Sequence, residues 1–130
     1  ATRMAAAVAS AGGFGLLGMV RESPQLIEQE IAAVRQRTNR PFGVNLIPGA
    51  TDPKLLEDEF AACFNAGVSA LCFFWNVDTA AVEKAKKAGC LVLYQVGSTE
   101  DAKLAESAGA DVIIVQGVEA GGHVRGHRSI

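Results

Sequence analysis

Ala70-Leu71-Cys72-Phe73-Phe74 and Val112-Ile113-Ile114-Val115 decide the fold class: they are short apolar runs in which no polar residue alternates with the hydrophobic ones. A strand with one wet face alternates. Runs of this kind therefore predict strands buried on both faces of a parallel sheet, with helices over both sides or around the outside of a barrel. Working outward, the two runs extend to strands over Val68–Trp75 and Val112–Gln116, and Phe14–Met19, Phe42–Ile47 and Cys90–Val96 read as three more.

Helices fill the intervals. Thr2–Ala11 is helix-forming and stops at Gly12-Gly13. Ser23-Pro24 and Thr51-Asp52-Pro53 each place a capping side chain before a proline at the first helical position, where its missing N–H costs nothing. The first of these helices carries Leu26, Ile27, Ile31 and Val34 at helical spacing as far as Thr38, and the second carries Leu55, Leu56, Phe60 and Phe64 as far as Ala66-Gly67. Asp78 opens a helix ending at Ala88-Gly89, and Ser98-Thr99-Glu100-Asp101 caps another that ends at Ala108-Gly109. Strand starts fall roughly 20 to 30 residues apart, the spacing of successive βα units, and about five such units are present.

The 130 residues suffice for one domain with a single core but fall short of the roughly 200 needed for a complete (β/α)8 barrel. The start at Ala1 and the stop soon after a Gly-rich loop suggest a barrel piece cut at both ends. With 49% hydrophobic and 20% charged residues the composition is that of a packed α/β domain, expected in the cytoplasm. A net charge of -2, with the Lys and Arg residues assigned to helix exteriors, argues against nucleic acid as a partner. No apolar run approaches the ~20 residues that span a bilayer, so no membrane is expected either. Cys63, Cys72 and Cys90 form no CxxC pair and read as buried thiols, with no metal site.

Periodicity alone does not separate a barrel from a doubly wound open sheet. The polar residues do more. Asn45, Asn76, Gln95 and Gln116 sit at or just past the carboxyl ends of different strands, and in a barrel those ends converge on the face that holds the active site. The last of them opens Gln116-Gly117-Val118-Glu119-Ala120-Gly121-Gly122-His123, where two glycines let backbone approach a ligand and a histidine is available for proton transfer. Arg125 and His127, close behind, read as solvated loop residues, and Tyr94, pointing away from Gln95 on the same strand, as packing.

This segment resembles the signature of the nitronate monooxygenases, also called 2-nitropropane dioxygenases. Ala5–Gly15 is similar to the first helix and second strand of that family, and Arg40-Pro41-Phe42-Gly43-Val44-Asn45-Leu46 to its third. The resemblance covers nearly the whole chain and implies a partial (β/α)8 TIM barrel, strands 2 to 6, in one FMN-binding domain. The implied activity is oxidation of alkyl nitronates or nitroalkanes by O2 to a carbonyl compound and nitrite. Position by position it implies that Asn45, Gln95 and Gln116 reach the isoalloxazine or ribityl chain, and that Gly121 and Gly122 let the loop lie against the flavin. His123 would act as catalytic base or substrate anchor.

Departures accompany the likeness. The family's first strand and its last two, which hold the FMN phosphate, are expected to be absent, leaving FMN binding by this chain weak. Gln95 stands where some relatives have lysine. Trp75 occupies a strand end that is more often small, where it either narrows the substrate pocket or is a core or rim aromatic. A flavin-dependent enoyl-[acyl-carrier-protein] reductase shares the barrel and a similar histidine loop, so that activity is a rival. A third reading is a catalytically inactive half-barrel whose open strand edges favour aggregation or a homo-oligomer with a completed sheet.

Overall fold

The computed structural model describes residues 1–130. Five strands form one parallel sheet: β1 (Gly15–Gly18), β2 (Phe42–Leu46), β3 (Ala70–Phe74), β4 (Leu91–Val96) and β5 (Val112–Val115). Helix α1 (Thr2–Ser10) precedes β1, and α2 (Pro24–Arg35), α3 (Pro53–Asn65), α4 (Thr79–Lys87) and α5 (Thr99–Ala108) connect successive strands. A 3-10 turn over Pro48–Ala50, not foreseen from the sequence, leads from β2 to α3. The anticipated caps form. Ser23, Asp52, Asp78 and Ser98 each accept from a backbone N–H in the first turn of the helix that follows.

Spatial order settles what periodicity left open. The strands lie β1-β2-β3-β4-β5, each paired in parallel with its neighbours in sequence. A doubly wound sheet needs a reversal of strand order, and none occurs, so the units wind one way as in a barrel. The fold is therefore α/β, a partial (β/α)8 barrel of five consecutive units.

The pleat then divides the residues of every strand between two faces. On one, Leu17, Val44, Leu71 and Val92 lie in register, as do Leu46, Phe73 and Tyr94. All of these are fully buried, in a single cluster to which every helix contributes: Ala5 and Ala6 of α1, Ile27, Ile31 and Val34 of α2, Phe60 of α3, Val82 of α4, and Ala105 of α5. Phe73 is central, edge-on to Phe60 at 5.9 Å and to Tyr94 at 5.7 Å. Burying a side chain of this size stabilises the fold by about 1.5–3 kcal/mol.

Helices thus cover one face only, and the expectation that both apolar runs are buried on both faces needs correction. It holds for β3, where all five residues are buried. It fails for β5, where Val112 is 47% and Val115 62% exposed, because β5 pairs only with β4 and lies at the sheet edge. No helix is long and apolar enough to cross a membrane. The three cysteines are free and buried, as expected, and burial pushes the Cys63 thiol up to about 12 and that of Cys72 to about 11.

Candidate active site

The uncovered face of the sheet carries Leu16, Gly18, Asn45, Cys72, Phe74 and Gln95, related to one another by the strand register and by the period of two. With the loops beyond the carboxyl ends of the strands they line a cleft of about 750 Å³. Asn45, Gln95, Gln116, Gly121 and His123 all line it, as does Trp75. The structure brings together five of the six residues proposed from sequence for catalysis and cofactor contact. Gly122 lies next to the lining at φ 76, a conformation that favours glycine. Asn76 is not in the cleft, its carbonyl instead accepting a 2.8 Å hydrogen bond from the Tyr94 hydroxyl.

Each polar group is held differently. Asn45 donates from Nδ2 to the carbonyl of Cys72 at 3.1 Å, tying its side chain across the β2–β3 pair and leaving Oδ1 free to accept. The Gln95 amide has no partner within the chain. Gln116, only 7% exposed, clamps the loop that follows it: Nε2 donates to the carbonyl of His123 at 2.8 Å, and Oε1 accepts from the Arg125 N–H at 3.0 Å. Residues 116 to 125 are thereby folded back on the end of β5. The loop is also seated across β4, because a Cβ on Gly97 would lie 2.5 Å from the Gly126 nitrogen, an approach only glycine allows.

The His123 side chain is exposed to the cleft and packs edge-to-face with Trp75, centroids 6.5 Å apart. Arg125, read from sequence as a solvated loop residue, is instead half-buried. Its guanidinium carbon sits 5.7 Å from the centre of the same indole, and Nε lies 3.6 Å from Oδ2 of Asp101 in the first turn of α5. The reason is the Gln116 clamp, which fixes the Arg125 backbone and turns its side chain toward β3. His127 is exposed, as expected.

Arg21 was also missed. It follows the carboxyl end of β1, lines the cleft and adopts φ 59, so it does not belong to a helix exterior. The strand-end argument applied to Asn45 would have found it. Behind it, Glu59 of α3 is fully buried and accepts from the Glu22 N–H at 3.2 Å through Oε1, while Oε2 has no partner. Desolvation pushes its carboxyl up to about 7, against the opposing effect of backbone N–H groups of Arg21 and Glu22. A buried glutamate thus braces the loop that carries Arg21. Cys72, the neighbour of Asn45 in the register, completes the cleft floor.

A one-way parallel sheet with a polar-edged cleft at the carboxyl ends of its strands defines a (β/α)8-barrel enzyme site. The sequence pattern of the family described as nitronate monooxygenase matches residues 1–130, and the chain belongs to that family. A nitronate monooxygenase of Paraburkholderia phytofirmans is 31% identical over 157 residues, covering 92% of this chain and 43% of the relative. A (3aS,4S,5R,7aS)-5-hydroxy-7a-methyl-1-oxo-octahydro-1H-indene-4-carboxyl-CoA dehydrogenase of Rhodococcus jostii is 34% identical over 121 residues, 93% of this chain and 33% of the relative. Among solved structures, FabK of Thermotoga maritima superposes with a TM-score of 0.89 at 34% identity, covering 98% of this chain and 40% of that one. The chain thus spans between a third and a half of the length of these relatives.

Proposed function

We propose that the cleft binds FMN and that the protein oxidises small alkyl nitronates, or the nitroalkanes that give rise to them, with O2 to a carbonyl compound and nitrite. The observation that carries this is the charge of the lining: it contains the guanidinium of Arg21 and no carboxylate. Such a surface favours an anion, and both a nitronate and a reduced flavin are anions.

The residues present fit a flavin. The cleft volume lies within the range of cofactor sites. Asn45, Gln95 and Gln116 offer amide donors and acceptors around an apolar floor, matching a flat ring with a polar edge. Gly121 lines the cleft, and a Cβ there would meet nothing within 4 Å, so packing inside the chain does not account for the glycine while a ligand lying on the loop does. Bound there, the flavin supplies the electron-accepting chemistry.

The protein's own part is binding, orientation and proton movement. Arg21 attracts the anion. Gln116 fixes the histidine backbone, and Trp75 walls one flank of the imidazole within the cleft. An imidazole nitrogen of His123 accepts the acidic carbon-bound proton of a neutral nitroalkane. A preformed nitronate lacks that proton, which supplies the test. In the flavin-loaded protein, His123→Asn should lower kcat/KM for the nitroalkane by about 10²- to 10⁴-fold, the usual worth of a general base, with a smaller loss on the nitronate and flavin content retained. Equal large losses on both substrates would make His123 an anchor, and no loss on either would remove it from the chemistry.

A second reading is reaction of a thioester substrate, either the enoyl-[acyl-carrier-protein] reduction suggested by the histidine loop or chemistry on a carboxyl-CoA. The 34% identity to the Rhodococcus dehydrogenase favours it. Anaerobic mixing separates the two readings: bleaching of the flavin by NAD(P)H supports the reductase, and bleaching by a nitronate supports the oxygenase.

A further inference from the structure

Trp75 is held where a bulky residue costs most. Its φ is 83°, a region that side chains larger than Asn or Asp rarely enter, and strain of this kind persists only where surrounding contacts impose it. The contacts are visible. Phe74 packs edge-on at 5.5 Å, His123 edge-on at 6.5 Å and the Arg125 guanidinium at 5.7 Å. The backbone just beyond is pinned from beneath by the fully buried Tyr94, whose hydroxyl donates to the Asn76 carbonyl and accepts from the Asp78 N–H at 2.9 Å.

The left-handed turn changes where the side chain goes. Cys72 and Phe74 face the cleft by strand parity, so an extended residue 75 would face the helices with Phe73. Positive φ breaks the alternation and the indole lines the cleft instead, beside His123. A rigid, half-buried aromatic wall then stands in contact with the imidazole, and no chain atom of a substrate reaching His123 can extend through it.

We propose that Trp75 is the specificity-determining residue of this site, a wall that restricts the group attached to the reacting carbon to a short alkyl chain. This rests on the reading of His123 as the residue that meets the substrate. A pocket wall of this kind discriminates through each methylene it admits or excludes, and one methylene is worth about 10- to 200-fold.

The informative variant is Trp75→Gly, because glycine adopts φ 83° freely and the loop keeps its backbone. Trp75→Phe keeps an aromatic wall of smaller reach. On flavin-loaded wild type and both variants, kcat/KM is measured for the nitronates of nitroethane and 1-nitrohexane, and the inhibition or flavin-absorbance shift caused by propionate and heptanoate is titrated in parallel. These carboxylates share the planar, two-oxygen anion of a nitronate but do not react.

The six-carbon to two-carbon ratio of kcat/KM should rise at least about tenfold in Trp75→Gly and by less in Trp75→Phe, with the heptanoate to propionate affinity ratio moving the same way. A general loosening of the loop would lower both members of each pair and leave the ratios unchanged. A rise of less than about tenfold in the Trp75→Gly ratios, or a fall, overturns the proposal. If wild type oxidises no nitronate at all, the proposed function falls, and the carboxylate ratio alone decides whether Trp75 is the wall.

Discussion

Glu59 gives the protein a pH-dependent stability whose sign and size follow from its surroundings. The carboxyl group is fully buried, has one oxygen on the Glu22 N–H and one without a partner, and its pKa is raised from 4.5 to about 7 chiefly by desolvation. Well below pH 4.5 the group is protonated in both folded and unfolded chains and costs nothing. As pH rises toward 7 the unfolded chain ionises first, so the folded state loses stability, and above about 7 the full penalty applies. At about 1.4 kcal/mol per pH unit, a difference of roughly 2.5 units makes the full penalty about 3–4 kcal/mol.

Glu59→Gln removes the titration while keeping the Oε1 acceptor for the Glu22 N–H. Urea unfolding of wild type and variant at pH 4.5 and pH 8.5 measures the effect. The stability difference should move by about 3 kcal/mol in favour of the glutamine between the two pH values. A difference that does not change with pH would show that Glu59 is solvated or ion-paired and would refute the burial argument.

Two further predictions concern the groups that hold the site. Gln116→Ala removes both hydrogen bonds of the loop clamp, worth about 1–3 kcal/mol when buried partners are left unpaired, so hydrogen exchange at the Arg125 amide should accelerate about 5- to 150-fold. Unchanged exchange would mean that the loop is held by something else. Tyr94→Phe strands the Asn76 carbonyl and the Asp78 N–H at the end of β3 and should lower unfolding free energy by about 1–3 kcal/mol, equally at pH 6 and pH 9 because the phenol, raised to about 12, is neutral at both. A loss below about 0.5 kcal/mol would show that water replaces the hydroxyl.

Much of this was legible in the sequence because it depends on local chemistry. Capping at Ser23, Asp52, Asp78 and Ser98 involves residues two or three apart, and Asn45, Gln95 and Gln116 stood out as amides at the ends of apolar strands. What escaped depends on distance along the chain. Glu59 reaches Glu22 across 37 positions; its place on the apolar face of α3, four residues after Leu55 and four before Cys63, was a signal the sequence did offer. Arg125 was misjudged because its placement follows from the Gln116 clamp and from Trp75, fifty residues earlier. Exposure of Val112 and Val115 follows from position at the sheet edge, which apolar composition does not encode. Strand order, which decides between the two α/β architectures, is likewise a property of pairing between units.

Parity along the strands divides the labour between stability and function. Phe73 and Tyr94, side by side in the register, are fully buried among the helices, while their successors Phe74 and Gln95, also side by side, line the cleft. A shift of one residue in either strand would exchange the two sets, placing an amide in the core and aromatic rings in the site. The core face therefore tolerates little beyond other large apolar groups, and the strand amides Asn45 and Gln95 lie on the cleft face, where no helix packs. Trp75 is the exception that joins the two. By leaving extended geometry just past the end of β3, it turns a position that parity assigns to the core into one that meets His123.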